Sequence, residues 1–154
     1  MEILCTQDFY NLIADLRMSQ DKEIKKSLRY HAILKIINQH YYFSSSDSTH
    51  GLYVGSQGRG TDIYTSDIDI VVILPWSTYN QYDNRAYNGQ SALLQEVKCI
   101  IQRTYPRTSI KGDGQVVVVE FEDGMRFEIV PAFEFEDGSF TYPKIGRASC
   151  RERV

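Results

Sequence analysis

Cysteine, proline and histidine are all scarce in this chain, which holds three, four and three of them in 154 residues. Cys5, Cys99 and Cys150 stand far apart, with no CxxC pair and no histidine nearby in ligand spacing. Such a pattern supports neither a disulfide framework nor a zinc site. Long hydrophobic runs are lacking too: nothing approaches the roughly 20 apolar residues that a membrane-spanning helix needs. The opening MEILCTQDFYNL has no basic segment followed by an apolar one, the form of a secretory signal. The chain is therefore expected in the cytoplasm, away from membranes. An excess of positive charge is also missing. The formal net charge is −3, which argues against a large non-specific nucleic-acid surface but not against small phosphorylated ligands.

What is present is the composition of a globular domain, 42% hydrophobic and 24% charged, which excludes a disordered chain. The length suits one domain with a real core. Phe9, Leu12, Ile13 and Leu16 recur at helical spacing over about 8–18. A second stripe, Ile24, Leu28, His31, Ile33, Leu34, Ile36 and Ile37, follows a Ser19 suited to capping and runs to about Tyr42. Two helices, or one long broken one, thus come first. Residues 44–49 (SSSDST) read as a loop, and Gly51–Val54 as a short strand or helix end. Ile68–Leu74 is apolar on both faces of a period-2 strand, which fits a central strand covered on both sides. Pro75 ends it. Residues 76–90 (WSTYNQYDNRAYNGQ) read as a loop, with Ser91 as the cap of a helix from Ala92 to about Thr104. Gln115–Phe121 and Met125–Val130, joined by Glu122-Asp123-Gly124, look like a hairpin. From about Lys144 the sequence KIGRASCRERV turns basic and small and loses periodicity; it is either a frayed terminus or foreign to the protein.

The chemistry concentrates in GSQGRGTDIYTSDIDIVVIL, residues 55–74. Gly55, Gly58 and Gly60 permit backbone conformations in which successive N–H groups form an anion-binding concavity. Ser56 adds a hydroxyl and Gln57 an amide beside them. Arg59 is suited either to neutralise phosphate or to pair with an acid such as Asp62. Asp67 and Asp69, at i and i+2 on a strand, leave the same face roughly 6–7 Å apart. Their repulsion is relieved by a divalent cation, and Mg²⁺ favours sites with one or two carboxylates and substrate phosphate oxygens. Glu128, in Phe127-Glu128-Ile129-Val130-Pro131, is an acid on a strand that otherwise wants burial. An unpaired buried carboxylate is costly, so either a cation such as Arg126 or a metal must account for it. Glu120 and Glu122 read as ordinary solvated charges. Gln90 and Ser91 are either near a nucleotide pocket or simply a loop end and helix cap. Tyr79, Tyr82 and Tyr87 suit packing better than base stacking.

Gly-Ser, ten residues, Asp-x-Asp and a later apolar-acid-apolar strand resemble the nucleotidyltransferase superfamily related to DNA polymerase beta. The wording of "LYVGSQGRGTDIYTSDIDIVVILP", "YNGQSALLQEVKCII", "IKGDGQVVVVEF" and "RFEIVPAFEFEDGSFTYP" resembles the bacterial cGAS/DncV-like nucleotidyltransferases (CD-NTases), over roughly residues 8–143. That resemblance implies an α+β fold, a mixed β-sheet flanked by helices with a long N-terminal helical segment. It implies Gly55 and Ser56 at the triphosphate, with Gln57, Arg59, Gln90 and Ser91 around the nucleotide. Asp67, Asp69 and Glu128 would be the catalytic carboxylates that bind two Mg²⁺ ions, or Mn²⁺ in their place. The substrates implied are nucleoside triphosphates, the product a cyclic oligonucleotide messenger in anti-phage signalling, and a further partner a regulatory protein from the same operon; the motifs equally allow a nucleotide placed on a protein, tRNA or small molecule, or a nucleotide-binding fragment without turnover. Similar enzymes continue past a Tyr-Pro, here Tyr142-Pro143, into a Gly-Trp-containing segment and a C-terminal helical domain that walls the pocket. Neither is in this sequence, and KIGRASCRERV resembles translated adapter or contig-end sequence. The expectation is a truncated catalytic core over 1–143, with its activity in doubt, and a non-native tail over 144–154.

Overall fold

The computed structural model describes residues 6–54, 67–85, 88–142 and 150–153, the backbone alone for 15–19, 142 and 150–153. One helix, α1 (Thr6–Tyr41), takes the place of the broken pair expected around Ser19. Nothing between residues 6 and 41 is proline or glycine, so no residue forces a break. Among the described side chains, those of its C-terminal part enter the core. Tyr30, Ile33, Leu34 and Ile37 are buried at i, i+3, i+4 and i+7, one stripe of a helix. Ile24 and Leu28, expected in the same stripe, are exposed, as are Phe9, Tyr10 and Leu12.

The sheet is mixed and, among the described residues, seven-stranded. Its main path runs β1 (Gly51–Tyr53), β2 (Ile68–Ile73), β5 (Arg126–Glu134), β4 (Val116–Glu120), β3 (Ser109–Asp113). β6 (Ser139–Tyr142) pairs with β5, and β7 (Cys150–Arg153) with β6. The last of these forms where no element is expected from the sequence. β2 and β5 run parallel; the other pairings are antiparallel. The expected hairpin is β4–β5, and β5 continues four residues beyond its expected end at Val130. A proline inside a strand normally marks an edge or a bulge, yet Pro131 lies in the middle of β5. Ala132 O accepts from Leu74 N at 2.8 Å, so the preceding ring nitrogen faces away from β2. On that side β4 pairs only as far as Ile129 and β6 begins at Phe133. The missing N–H therefore breaks no ladder bond.

The two sheet faces differ. Ile68, Ile70, Val72, Phe127, Ile129, Val117 and Val119 join α1 and α3 (Gly89–Thr104) in the main core. α3 presents Leu93, Leu94, Val97, Ile100 and Ile101, again a helical stripe. It starts earlier than expected, after Asn88, and Ser91 sits inside it rather than capping it. The supposed loop before it contains α2 (Trp76–Asp83), which buries Thr78 and Tyr82 four residues apart. The other face carries a smaller cluster, Val71, Ala132 and Phe140.

Two local devices hold α1 to the sheet. Asn38 is fully buried and fully used: its Nδ2 donates to Ser46 O (3.0 Å) and Thr49 O (2.9 Å), and its Oδ1 accepts from His50 Nδ1 (2.7 Å). Arg29 Nη1 reaches Asp123 Oδ2 at 2.9 Å and its Cζ lies over the Phe121 ring, 3.9 Å from the centroid, tying the helix to the β4–β5 turn. Asp123 is driven up by burial, but the Met125 N–H, Arg29 and Lys25 outweigh this and hold it below the usual carboxylate range.

Candidate active site

In a strand, alternate side chains share a face, and residues paired across two strands share it too. Asp69 pairs with Glu128 across β2 and β5. Arg126 is two residues before Glu128 and pairs with Glu120 across the hairpin. Asp67 is two residues before Asp69, at the mouth of β2. All five side chains therefore belong to the sheet face opposite the helical core, at the end where β2 begins. They form a continuous row of four acids and one guanidinium. Arg126 Nη2 donates to Glu128 Oε1 at 3.2 Å; its Nη1 lies 3.5 Å from Glu120 Oε1, and its Nε 3.7 Å from Asp67 Oδ2. Arg126, one of the two groups sequence offered to account for Glu128, is thus paired with it.

The carboxyl of Glu128 is held above its ordinary range, first by burial and then by a proton shared with Asp69 and by the charges of Asp69 and Asp67; Arg126 opposes this. A raised carboxyl is what crowding of like charges produces. Among the described residues, no three histidine, cysteine or acid side chains are gathered tightly enough to enclose a metal ion by themselves. The donor set nonetheless fits Mg²⁺ or Mn²⁺. Its oxygens are hard and anionic, and a Mg²⁺ site of this kind takes one or two carboxylates from the protein and the rest from water and phosphate.

Gly55, Ser56, Gln57 and Arg59 lie outside the described residues. Before them, Val54 N donates to the backbone Asp69 O at 2.9 Å, and the described chain resumes at Asp67. Gln90 is buried and Ser91 exposed near the start of α3. That helix covers the opposite sheet face, and the structure does not bring these two residues together with the acids. Tyr82 is buried in the core and Tyr79 packs edge-on against Phe133 (5.0 Å); Tyr87 is outside the described residues. Sequence reasoning missed Arg126's central place and took Glu120 for a solvated charge. A signal was available, because 120 and 126 are equidistant from the turn centre at 123.

A mixed sheet, flanked by helices and carrying acids on its adjacent parallel strands, defines a nucleotidyltransferase fold. The chain belongs to the Second Messenger Oligonucleotide or Dinucleotide Synthetase family, whose model matches residues 3–149. It is similar in fold to the CD-NTase CdnG of Bradyrhizobium diazoefficiens, solved in complex with GTP, at 16% identity and a TM-score of 0.51 over 80% of this chain and 37% of that one. Terminal uridylyl transferase 4 from Trypanosoma brucei, solved with bound GTP, aligns at 16% identity and a TM-score of 0.45 over 66% of this chain and 28% of that one. The chain thus spans about a third of the length of these structures. No curated protein matches it by sequence. Among the described residues no helix is long and apolar enough to cross a membrane.

Proposed function

We propose that this chain carries the catalytic core of a Mg²⁺-dependent nucleotidyltransferase that joins nucleoside triphosphates into a cyclic oligonucleotide messenger, used in anti-phage signalling. The observation that carries this reading is the register of Asp69 against Glu128, with Asp67 on the same face. Family membership supports an oligonucleotide or dinucleotide product. The GTP held by the Bradyrhizobium relative supports a nucleoside triphosphate as substrate.

A hydroxyl of one nucleotide attacks the α-phosphorus of another; a P–O bond forms, the bond to the β-phosphate oxygen breaks, and pyrophosphate leaves. Asp67, Asp69 and Glu128 would hold the divalent ions, whose charge neutralises the triphosphate and acidifies the attacking hydroxyl. The hydroxyl proton passes to solvent water at the site. The backbone amides of 55–60 and the Ser56 hydroxyl would orient the phosphates, as the family resemblance implies. No protein nucleophile is needed, because positioning and electrostatics carry phosphoryl transfer.

The test is to incubate the chain with α-labelled nucleoside triphosphates and Mg²⁺ and separate the products. A small nuclease-sensitive, phosphatase-resistant product is expected. Label retained on a protein, tRNA or small-molecule acceptor would overturn the messenger reading. Nucleotide binding without turnover would overturn the activity of this chain.

A further inference from the structure

The guanidinium of Arg126 stands at the centre of the acidic row but is not settled there. Only one of its three ion pairs is within hydrogen-bond range, that to Glu128 at 3.2 Å. The contacts with Glu120 and Asp67 are at 3.5 and 3.7 Å. Its Nε is buried and, among the described residues, without a hydrogen-bond partner. A buried donor left unpaired is expensive, so this arrangement is a compromise among several acids. Two of those acids, Asp67 and Glu128, are among the three proposed metal ligands. The third, Glu120, is exposed and directly opposite Arg126 in the hairpin register. A guanidinium and a divalent cation cannot both neutralise the same carboxylate oxygens at full strength.

We infer that Arg126 is a positioning residue that serves as an internal counter-cation. It holds Asp67 and Glu128 in place before metal loading, then releases them to the metal and closes onto Glu120. This rests on the two-metal reading above and adds an exchange of partners to it. In the metal-free protein Arg126 relieves the repulsion among Asp67, Asp69 and Glu128. On loading, the same charge competes with the metal, and Glu120 lowers the cost of the exchange by offering Arg126 a second carboxylate.

The exchange gives the two partners opposite signatures in a measurement other than turnover. Mn²⁺ binding to the chain is followed by electron paramagnetic resonance, and thermal midpoints are taken with and without Mn²⁺. Arg126→Gln removes the competitor: Mn²⁺ should bind about fivefold more tightly, while the metal-free midpoint drops, each in line with one partly exposed ion pair. Arg126→Lys keeps the charge and should restore affinity to near the wild-type value. Glu120→Gln, at an exposed position that tolerates substitution, removes the second anchor and should weaken Mn²⁺ binding about threefold. Unchanged or weaker binding in Arg126→Gln overturns the competition. Unchanged binding in Glu120→Gln overturns the handover, even should Arg126→Gln fail to fold. If the wild-type chain itself binds no Mn²⁺, the two-metal reading fails and this inference with it. Wild-type binding with unmoved variants sinks the inference alone.

Discussion

Asp69 and Glu128 face one another directly across the parallel β2–β5 pair, so the crowding of the two carboxylates is built into the sheet register. Like charges placed opposite each other destabilise a sheet by roughly 0.2–1 kcal/mol. The double substitution Asp67→Asn with Asp69→Asn should therefore separate function from stability. Nucleotide turnover is expected to fall roughly a thousandfold or more, on the scale of removing oriented charge from a phosphoryl-transfer site, while the metal-free thermal midpoint holds or rises. Turnover equal to wild type would refute the assignment of these acids.

These acids could be read from the sequence because β2 is apolar on both faces, and Asp69 and Glu128 are anomalies within strands that otherwise want burial. The arrangement around them shows only when the hairpin is folded on paper: Arg126 and Glu120 become neighbours through the register about the turn at 123, which single-residue chemistry does not display. α2 was equally hidden: WSTYNQYD has weak helix formers, and the segment becomes helical because Thr78 and Tyr82 gain burial four residues apart. In α1 the expected break failed for the opposite reason, since a continuous run of helix-compatible residues needs no tertiary support to avoid one. The apolar stripe of that helix predicted burial too generously, because at about 100° per residue Ile24 and Leu28 lie on the far side of the helix from Tyr30, Ile33, Leu34 and Ile37 and stay exposed.

The raised carboxyl of Glu128 gives stability a pH dependence of definite sign. Folded, the group binds its proton more tightly than in the unfolded chain, whose value is the ordinary 4.5. Below that both states are protonated and nothing is lost. As pH rises from there through the raised value, the folded state must give up a proton it holds more firmly, and stability falls. In the absence of divalent metal the thermal midpoint should decline over this window more in wild type than in Glu128→Gln. Mg²⁺, which binds the deprotonated site, should flatten the wild-type decline. Identical slopes for the two proteins without metal would show that Glu128 is not the group responsible.

Gly51 lets the first strand approach α1, because a Cβ there would run into the Cδ atoms of Leu34. Leu34 is fully buried in the core, so its end has nowhere to move. Gly51→Ala should cost about 1–3 kcal/mol, the range for overpacking. Leu34→Ala opens space at the same place, at its own cavity cost. Denaturant unfolding of the two single variants and the pair should show a double cost below the sum by about 1 kcal/mol, since the second change relieves the clash of the first. Strict additivity would mean the clash is relieved elsewhere.

Phe43 follows the end of α1 with a φ of +53° and is 94% exposed. The left-handed conformation at a helix end is usually taken by glycine, and for a residue with a Cβ it costs roughly 1–2 kcal/mol. Here it turns the chain so that Ser44 N can donate to Asn38 O at 3.2 Å. The ring recovers none of the cost through burial. Phe43→Gly should therefore stabilise the protein by about 1 kcal/mol, less than the full strain because glycine also frees the unfolded chain. That corresponds to a rise in thermal midpoint of about 2–4 °C for a domain of this size. Phe43→Ala separates strain from exposure: it removes the ring, keeps the Cβ, and should leave stability within about 0.5 kcal/mol of wild type. If alanine stabilises as much as glycine, the exposed ring rather than the backbone is the source of the penalty.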